Sequence, residues 1–208
     1  MRTRGIIIIL AFALTCCTNK KASPNLTMQP DSSVEKITIV NHDSLLLSLT
    51  RQVLTTLKNK DYSSFEKFIH PTLGTRFTPY GFIDTTVDIR LTANEFRKHL
   101  DKKSKLNWGN YDGSGDSIIL TISEYFNKFV YNADFLHAEK TSVNKMIGSG
   151  NSFNNLPIVY KDCDFTESYF PGFEKKYGGM DWTSLRLVYQ KFEGNYYLVA
   201  VVHDQWTI

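Results

Sequence analysis

Leu185-Arg-Leu-Val-Tyr-Gln190, Glu193-Gly-Asn195 and Tyr196-Tyr-Leu-Val-Ala-Val-Val202 decide the fold. In the first segment Leu185, Leu187 and Tyr189 alternate with Arg186, Val188 and Gln190, the period of two expected of a strand whose successive side chains point to opposite faces. Glu193-Gly-Asn195 supplies turn chemistry, and the apolar run after it has the length and β-branched content of a second strand. The spacing therefore predicts a long antiparallel hairpin over residues 184–207. Immediately upstream, residues 158–170 contain the alternation Cys163, Phe165, Glu167, Tyr169 and predict a further strand.

Moving outward, the region before the strands is helical. Leu46, Leu49, Val53, Leu54 and Leu57 recur at steps of three and four, which predicts an amphipathic helix capped by Asp43 and ending near Asn59. Asp61 is placed to cap a second, short helix carrying Phe65, Phe68 and Ile69, which must stop by His70 because Pro71 follows. Thr75-Arg-Phe-Thr78 reads as a short strand and Pro79-Tyr80-Gly81 as a turn. Thr92-Ala-Asn-Glu95 and Thr121-Ile-Ser-Glu124 both have capping-box spacing and predict helices presenting Phe96 and Leu100, then Tyr125, Phe126, Phe129 and Val130. Between them, Asp112-Gly-Ser-Gly-Asp116 is turn chemistry leading into a strand at residues 117–120. Helices first and an antiparallel sheet last predict an α+β fold, with the helices packed on one face of a strongly curved antiparallel sheet.

The 208 residues include 14 Phe, 11 Tyr and 3 Trp, and 42 % are hydrophobic, a composition that excludes a disordered chain and supports one domain. The formal charge of +3 is too balanced for a nucleic-acid binder without a clustered basic patch. Arg2 and Arg4 precede the apolar run 5–14, the pattern of an export signal that is too short for a spanning helix. Leu14-Thr-Cys-Cys17 resembles the lipobox of bacterial lipoproteins. Cys17 has the better spacing for lipidation and Cys16 the poorer one; an ordinary secretory signal with incidental cysteines is the alternative. The expected organisation is a lipoprotein signal peptide at 1–16, a lipid site and polar tether at 17–36, and a single domain at 37–208. Acyl chains on Cys17 would make the lipid bilayer a partner and give a periplasm-facing or surface-exposed address at the cell envelope. Cleavage would remove Arg2 and Arg4, reducing the formal charge to +1. Cys163 would then be the lone cysteine of the folded part, so no intramolecular disulfide is expected.

The helix pair joined by Lys58-Asn-Lys-Asp61, the segment Phe65-Glu-Lys-Phe-Ile-His-Pro71 and the terminal hairpin resemble, in layout, the NTF2-like (SnoaL-like) superfamily over residues 43–207. That resemblance implies a cone with a pocket, here with an additional helix near 122–131 and a Gly/Asn-rich loop at 148–155 that would fill or reshape it. Trp108-Gly-Asn-Tyr-Asp-Gly-Ser-Gly115, Phe129-Val-Tyr-Asn-Ala-Asp-Phe135, the run Tyr177-Gly-Gly-Met-Asp-Trp-Thr-Ser-Leu-Arg-Leu-Val188 and Val202-His-Asp-Gln-Trp-Thr-Ile208 are similar to a family of uncharacterised bacterial exported proteins, a resemblance that implies no activity.

The candidate site residues are His70, Tyr80, Asp181, Trp182, Arg186 and His203. Imidazole beside a carboxylate is the usual general-base arrangement, but His203 and Asp204 are strand neighbours and face apart. A partner for His203 must come from elsewhere, for example Arg186 or Asp181. His70, at a helix end before Pro71, either turns into the mouth of a cone or acts as a C-terminal helix cation. Tyr80, Trp108, Tyr177, Trp182 and Trp206 could stack on a sugar or peptide, or simply pack. Asp112–Asp116 opens like a calcium loop, but Ser117 stands where that loop needs glycine and Ser123 where it needs glutamate, so a turn without metal is expected. Gly148-Ser-Gly-Asn151 could cradle an anion, though no helix signal follows. Ser33-Val-Glu-Lys36 and Ser142-Val-Asn-Lys145 match Ser-x-x-Lys without its companion motifs. No cofactor and no catalytic residue is assigned. The expected function is non-catalytic binding of a small-molecule, glycan or protein ligand at the envelope. The alternative is a small enzyme using His203 or His70 with Asp181 or Glu167.

Overall fold

A computed structural model describes residues 41–207. The predicted signal peptide at 1–16, the lipidation site Cys17 and the tether at 17–36 lie outside the described residues. Helix α1 (His42–Lys58) buries Leu46, Thr50, Val53, Leu54 and Leu57 along one stripe. Its cap is Asn41, not Asp43: the Asn41 side chain accepts the Asp43 amide at 3.1 Å, leaving Asp43 in the first turn, where the helix dipole favours an anion. Asp61 caps α2 (Tyr62–Phe65), which tightens into a 3-10 turn at Glu66–Phe68 and ends before His70. Both capping boxes form, at α3 (Ala93–Lys102) and α4 (Ile122–Tyr125). The latter continues as a π turn, Phe126–Val130, closed by the Tyr131 amide on the Phe126 carbonyl.

Strands β1 (Thr75–Thr78) and β2 (Arg90–Leu91) flank the loop containing Tyr80, while β3 (Leu106–Asn110) and β4 (Ser117–Leu120) form a separate two-stranded hairpin. The main sheet also takes β5 (Lys140–Val143), β6 (Asp164–Phe170), β7 (Thr183–Phe192) and β8 (Asn195–Gln205), in the order β2-β1-β8-β7-β6-β5. It is antiparallel except where β1 runs parallel to β8, with Arg76 opposite Ala200 and Thr78 opposite Val202. The result is a mixed helix and sheet architecture with a mostly antiparallel sheet.

Two expectations are corrected. The strand predicted over residues 158–170 begins only at Asp164, because a short helix, α5 (Leu156–Val159), precedes it; Pro157 lacks an amide donor and has a φ suited to a first helical turn. The sheet is also covered on both faces rather than one. Leu185, Leu187, Tyr189 and Val201 join the helix-side core with Phe65, Phe77 and Phe96. Val188, Ala200 and Val202 pack on the other side with Ile83, Leu156, Tyr160 and Phe165. Much of the aromatic content packs the first of these cores. Trp108, fully buried, stacks on Tyr125 with ring centroids 3.9 Å apart and meets Phe77 edge-on, so it offers no face to a ligand.

Candidate functional site

At the open end of the β7–β8 hairpin lies a cleft of about 280 Å³, with Asn132, Asp181, Trp182, Thr183 and Gln205 in its lining and Phe173, Met180 and Trp206 at exposed positions around it. The loop before β7 is closed by Asp181, whose Oδ2 accepts the amides of Phe173 and Glu174 at 2.9 and 2.8 Å. Burial pushes the Asp181 carboxyl up, but the Glu174 and Phe173 amides and nearby Lys176 outweigh it and hold the group below its ordinary value. Its other oxygen, Oδ1, is buried and has no hydrogen-bond partner among the described residues.

Trp182 is buried against the glycine-rich loop. A β-carbon added to Gly148 or Gly150 would stand 3.0 or 2.9 Å from the indole, so any larger residue there would crowd Trp182. This loop does bind an anion, and the anion is internal. The amides of Ile147 and Gly148 donate to the two oxygens of Glu167 at 2.5 and 3.0 Å, and the Gly148 carbonyl accepts from Arg186 at 2.9 Å.

Arg186 is the centre of a fully buried ionic cluster. Its guanidinium donates to Glu167 through Nε at 3.1 Å and to Asp204 through a terminal nitrogen at 2.9 Å, and Ser184 donates to Glu167 at 2.5 Å. Strand register brings the three together, since Glu167 stands opposite Arg186 and Ser184 opposite Asp204. Burial raises the Asp204 carboxyl despite the guanidinium.

His203 lies on the other face, opposite Leu185, so neither Arg186 nor Asp181 is its partner, contrary to expectation. Its Nδ1 contacts the Pro79 carbonyl at 2.8 Å, and Nε2 contacts the Thr183 hydroxyl and Asn132 amide, both at 3.2 Å. Because Thr183 and Asn132 also line the cleft, the imidazole sits directly beneath its floor. Burial pushes its pKa down to about 4.

The remaining candidates lie elsewhere. His70 is buried against Phe192 and Tyr197, and its Nδ1 accepts the amides of Thr72 and Leu73 at 3.3 and 3.1 Å; burial lowers its pKa. Neither the mouth-facing nor the helix-cation role describes it, because it acts as the acceptor that closes the turn before β1. Tyr80 packs on Phe129 and accepts the Asp112 amide at 3.2 Å. The structure thus gathers Asp181 and Trp182 at one cleft, sets His203 beneath it and Arg186 behind Trp182, and leaves His70 and Tyr80 apart.

Several groups were not visible in the sequence. Asn132, Met180 and Gln205 reach the aromatic cleft from three separate segments. Another concavity, of about 520 Å³, opens between α1 and strands β5 and β6, where Ser44, Ser48, Arg51, Thr141 and Ser168 line it beside Phe135; none of the candidates lies in it. The histidines that do meet carboxylates are His42, 3.1 Å from Asp164, and His137, 2.9 Å from Asp134, both exposed. Among the described residues no group of three or more His, Cys, Asp or Glu could hold a metal ion, and no helix is long and apolar enough to cross a membrane. Cys163 is a free, half-buried thiol, pushed up by burial and by neighbouring Asp162 and Asp164. No protein-family model matches the chain, and no curated protein sequence matches it.

Proposed function

We propose that the chain is a lipid-anchored protein of the bacterial envelope, held by acyl chains on Cys17, whose domain binds a cell-wall glycan at the Trp182–Trp206 cleft without transforming it. The observation that carries the reading is the character of that cleft: Trp206 is 42 % exposed and Met180 and Phe173 more so, around the amides of Asn132 and Gln205 and the Asp181 carboxylate. Aromatic faces suit the C–H faces of sugar rings, and amides and carboxylates suit their hydroxyls. An NTF2-like cone is the finer fold reading, supported by helices α1 and α2 preceding a sheet in which β1 joins the last strand. In that reading the interior of the cone is filled by Phe65, Phe77, Phe96 and Phe126, which moves binding to the rim. Against the enzyme alternative stand Nδ1 of His70 and both ring nitrogens of His203, engaged with amides, a carbonyl and a hydroxyl rather than a carboxylate.

The test is a thermal-shift and tryptophan-fluorescence series on the full chain with cell-wall fragments, simple sugars and lipids. A wall glycan should raise the melting temperature and change the emission of Trp206, since Trp108 and Trp182 are buried. Equal responses in Trp206→Phe and the wild type would remove the cleft from consideration. For the anchor, Cys17→Ser should abolish acyl labelling and membrane fractionation.

A further inference from the structure

The β1–β2 loop and the β3–β4 hairpin enclose a different cleft of about 250 Å³, with Tyr80 and Phe82 as apolar wall and Asp84, Asp88 and Asp112 as its charged lining. Asp88 is the unusual member. It is only 9 % exposed, and its Oδ2 accepts the Thr78 hydroxyl at 2.7 Å and the Asp84 amide at 3.0 Å. Oδ1 takes no hydrogen bond among the described residues; a β-carbon on Gly109, in the cleft wall, would stand 3.9 Å from it. Among the described residues no cation pairs with this carboxylate. Arg76 is close, but its NH1 donates to the carbonyls of Asp84, Thr85 and Asp88.

A buried carboxylate with neither an ion pair nor a full set of donors is destabilised in its charged form. Burial pushes Asp88 up to about 6, against the lowering influence of Thr78, the Asp84 amide and Arg76. A positive ligand at Oδ1 would supply the missing partner. The three carboxylates are not grouped as metal ligands, whereas an aromatic wall beside a carboxylate suits an organic cation, whose charge is attracted to ring faces and whose carbons replace water there.

We propose that this cleft binds a primary alkylammonium ion, which donates to Asp88 Oδ1, lays its carbon chain along Tyr80 and Phe82, and has Asp112 at the rim. The site uses none of the residues of the glycan reading and stands independently of it.

Isothermal titration of the full chain with cadaverine tests it. Saturable binding is expected at one site, weakened about tenfold or more in Asp88→Asn and unchanged in Trp206→Ala, whose side chain belongs to the other cleft. Equal affinity in Asp88→Asn, or no saturation by wild type up to about 10 mM, overturns the assignment. Calcium that displaces cadaverine and itself depends on Asp88 overturns it in favour of a metal site. Should Asp88→Asn not fold, the exposed positions serve instead: Phe82→Ala and Asp112→Asn should each weaken binding severalfold, and unchanged affinity in both overturns the proposal.

Discussion

His203 Nδ1 lies 2.8 Å from the carbonyl oxygen of Pro79, and because a carbonyl can only accept, the proton of the neutral ring is on Nδ1. Nε2 is then the acceptor for Thr183 and Asn132. The ring joins β8 to the turn after β1 and supports the cleft floor as a fixed, uncharged group.

This has a pH signature. Burial holds the folded pKa near 4, below the ordinary value near 6.5, so the unfolded chain binds the extra proton first as pH falls. Stability from this residue is complete above about 6.5 and is lost toward pH 4, by up to about 3 kcal/mol. The stability advantage of wild type over His203→Gln should therefore shrink between pH 7 and pH 4.5 in urea unfolding. A gap that stays constant would mean that the ring is not held neutral.

Asp88 acts in the opposite direction over nearly the same range. Its folded pKa near 6 lies above the ordinary carboxylate value, so the folded state holds the proton more tightly and stability falls as pH rises from about 4 to 6. Burial sets this first; the Thr78 hydroxyl, the Asp84 amide and Arg76 work against it, and the Asp84 carboxylate adds to it. Asp88→Asn should gain on wild type from pH 4 to pH 7 by about 3 kcal/mol at most. The single variants separate these two opposing contributions.

The buried cluster predicts an asymmetry between partial and complete removal. Arg186→Met leaves Glu167 and Asp204 buried without their cation and should destabilise by about 3–5 kcal/mol. Replacing Glu167, Arg186 and Asp204 together by apolar residues of similar size should cost less than Arg186→Met alone. Equilibrium unfolding at pH 7 compares the two directly; a triple variant less stable than the single one would contradict this account.

The two tryptophans of one cleft should separate binding from stability. Trp206→Ala removes an exposed ring and should change stability by less than about 0.5 kcal/mol while abolishing the glycan response. Trp182→Ala opens a cavity over Gly148 and Gly150 and should cost about 3–5 kcal/mol. Loss of stability in Trp206→Ala, with no change in binding, would reverse the roles assigned here.

Local patterns foretold local structure well. Thr92 with Glu95 and Thr121 with Glu124 needed only their three-residue spacing, because a capping box is formed within one turn. The β7–β8 hairpin followed from alternation and a Glu193–Gly194 turn. Asn41 displaced Asp43 as cap because both residue types can fill that role and the helix begins at His42. For the site, Asp181 and Trp182 were identifiable as a polar group and an aromatic near a strand end, but Asn132, Met180 and Gln205 carried no signal of their own.

The sequence by itself determined most of the elements, their α+β order and the β7–β8 hairpin, because helix caps, periodicity and a tight turn depend on residues a few positions apart. Only the tertiary structure decided that Arg186 serves Glu167 and Asp204 while His203 serves Pro79, Thr183 and Asn132, and that the glycine-rich loop cradles an internal carboxylate. Adjacent strand positions point to opposite faces, and what covers each face comes from segments tens of residues away. Residue type can suggest an acid, a base or a stacking ring; the partner that spends it or leaves it available is fixed by long-range packing.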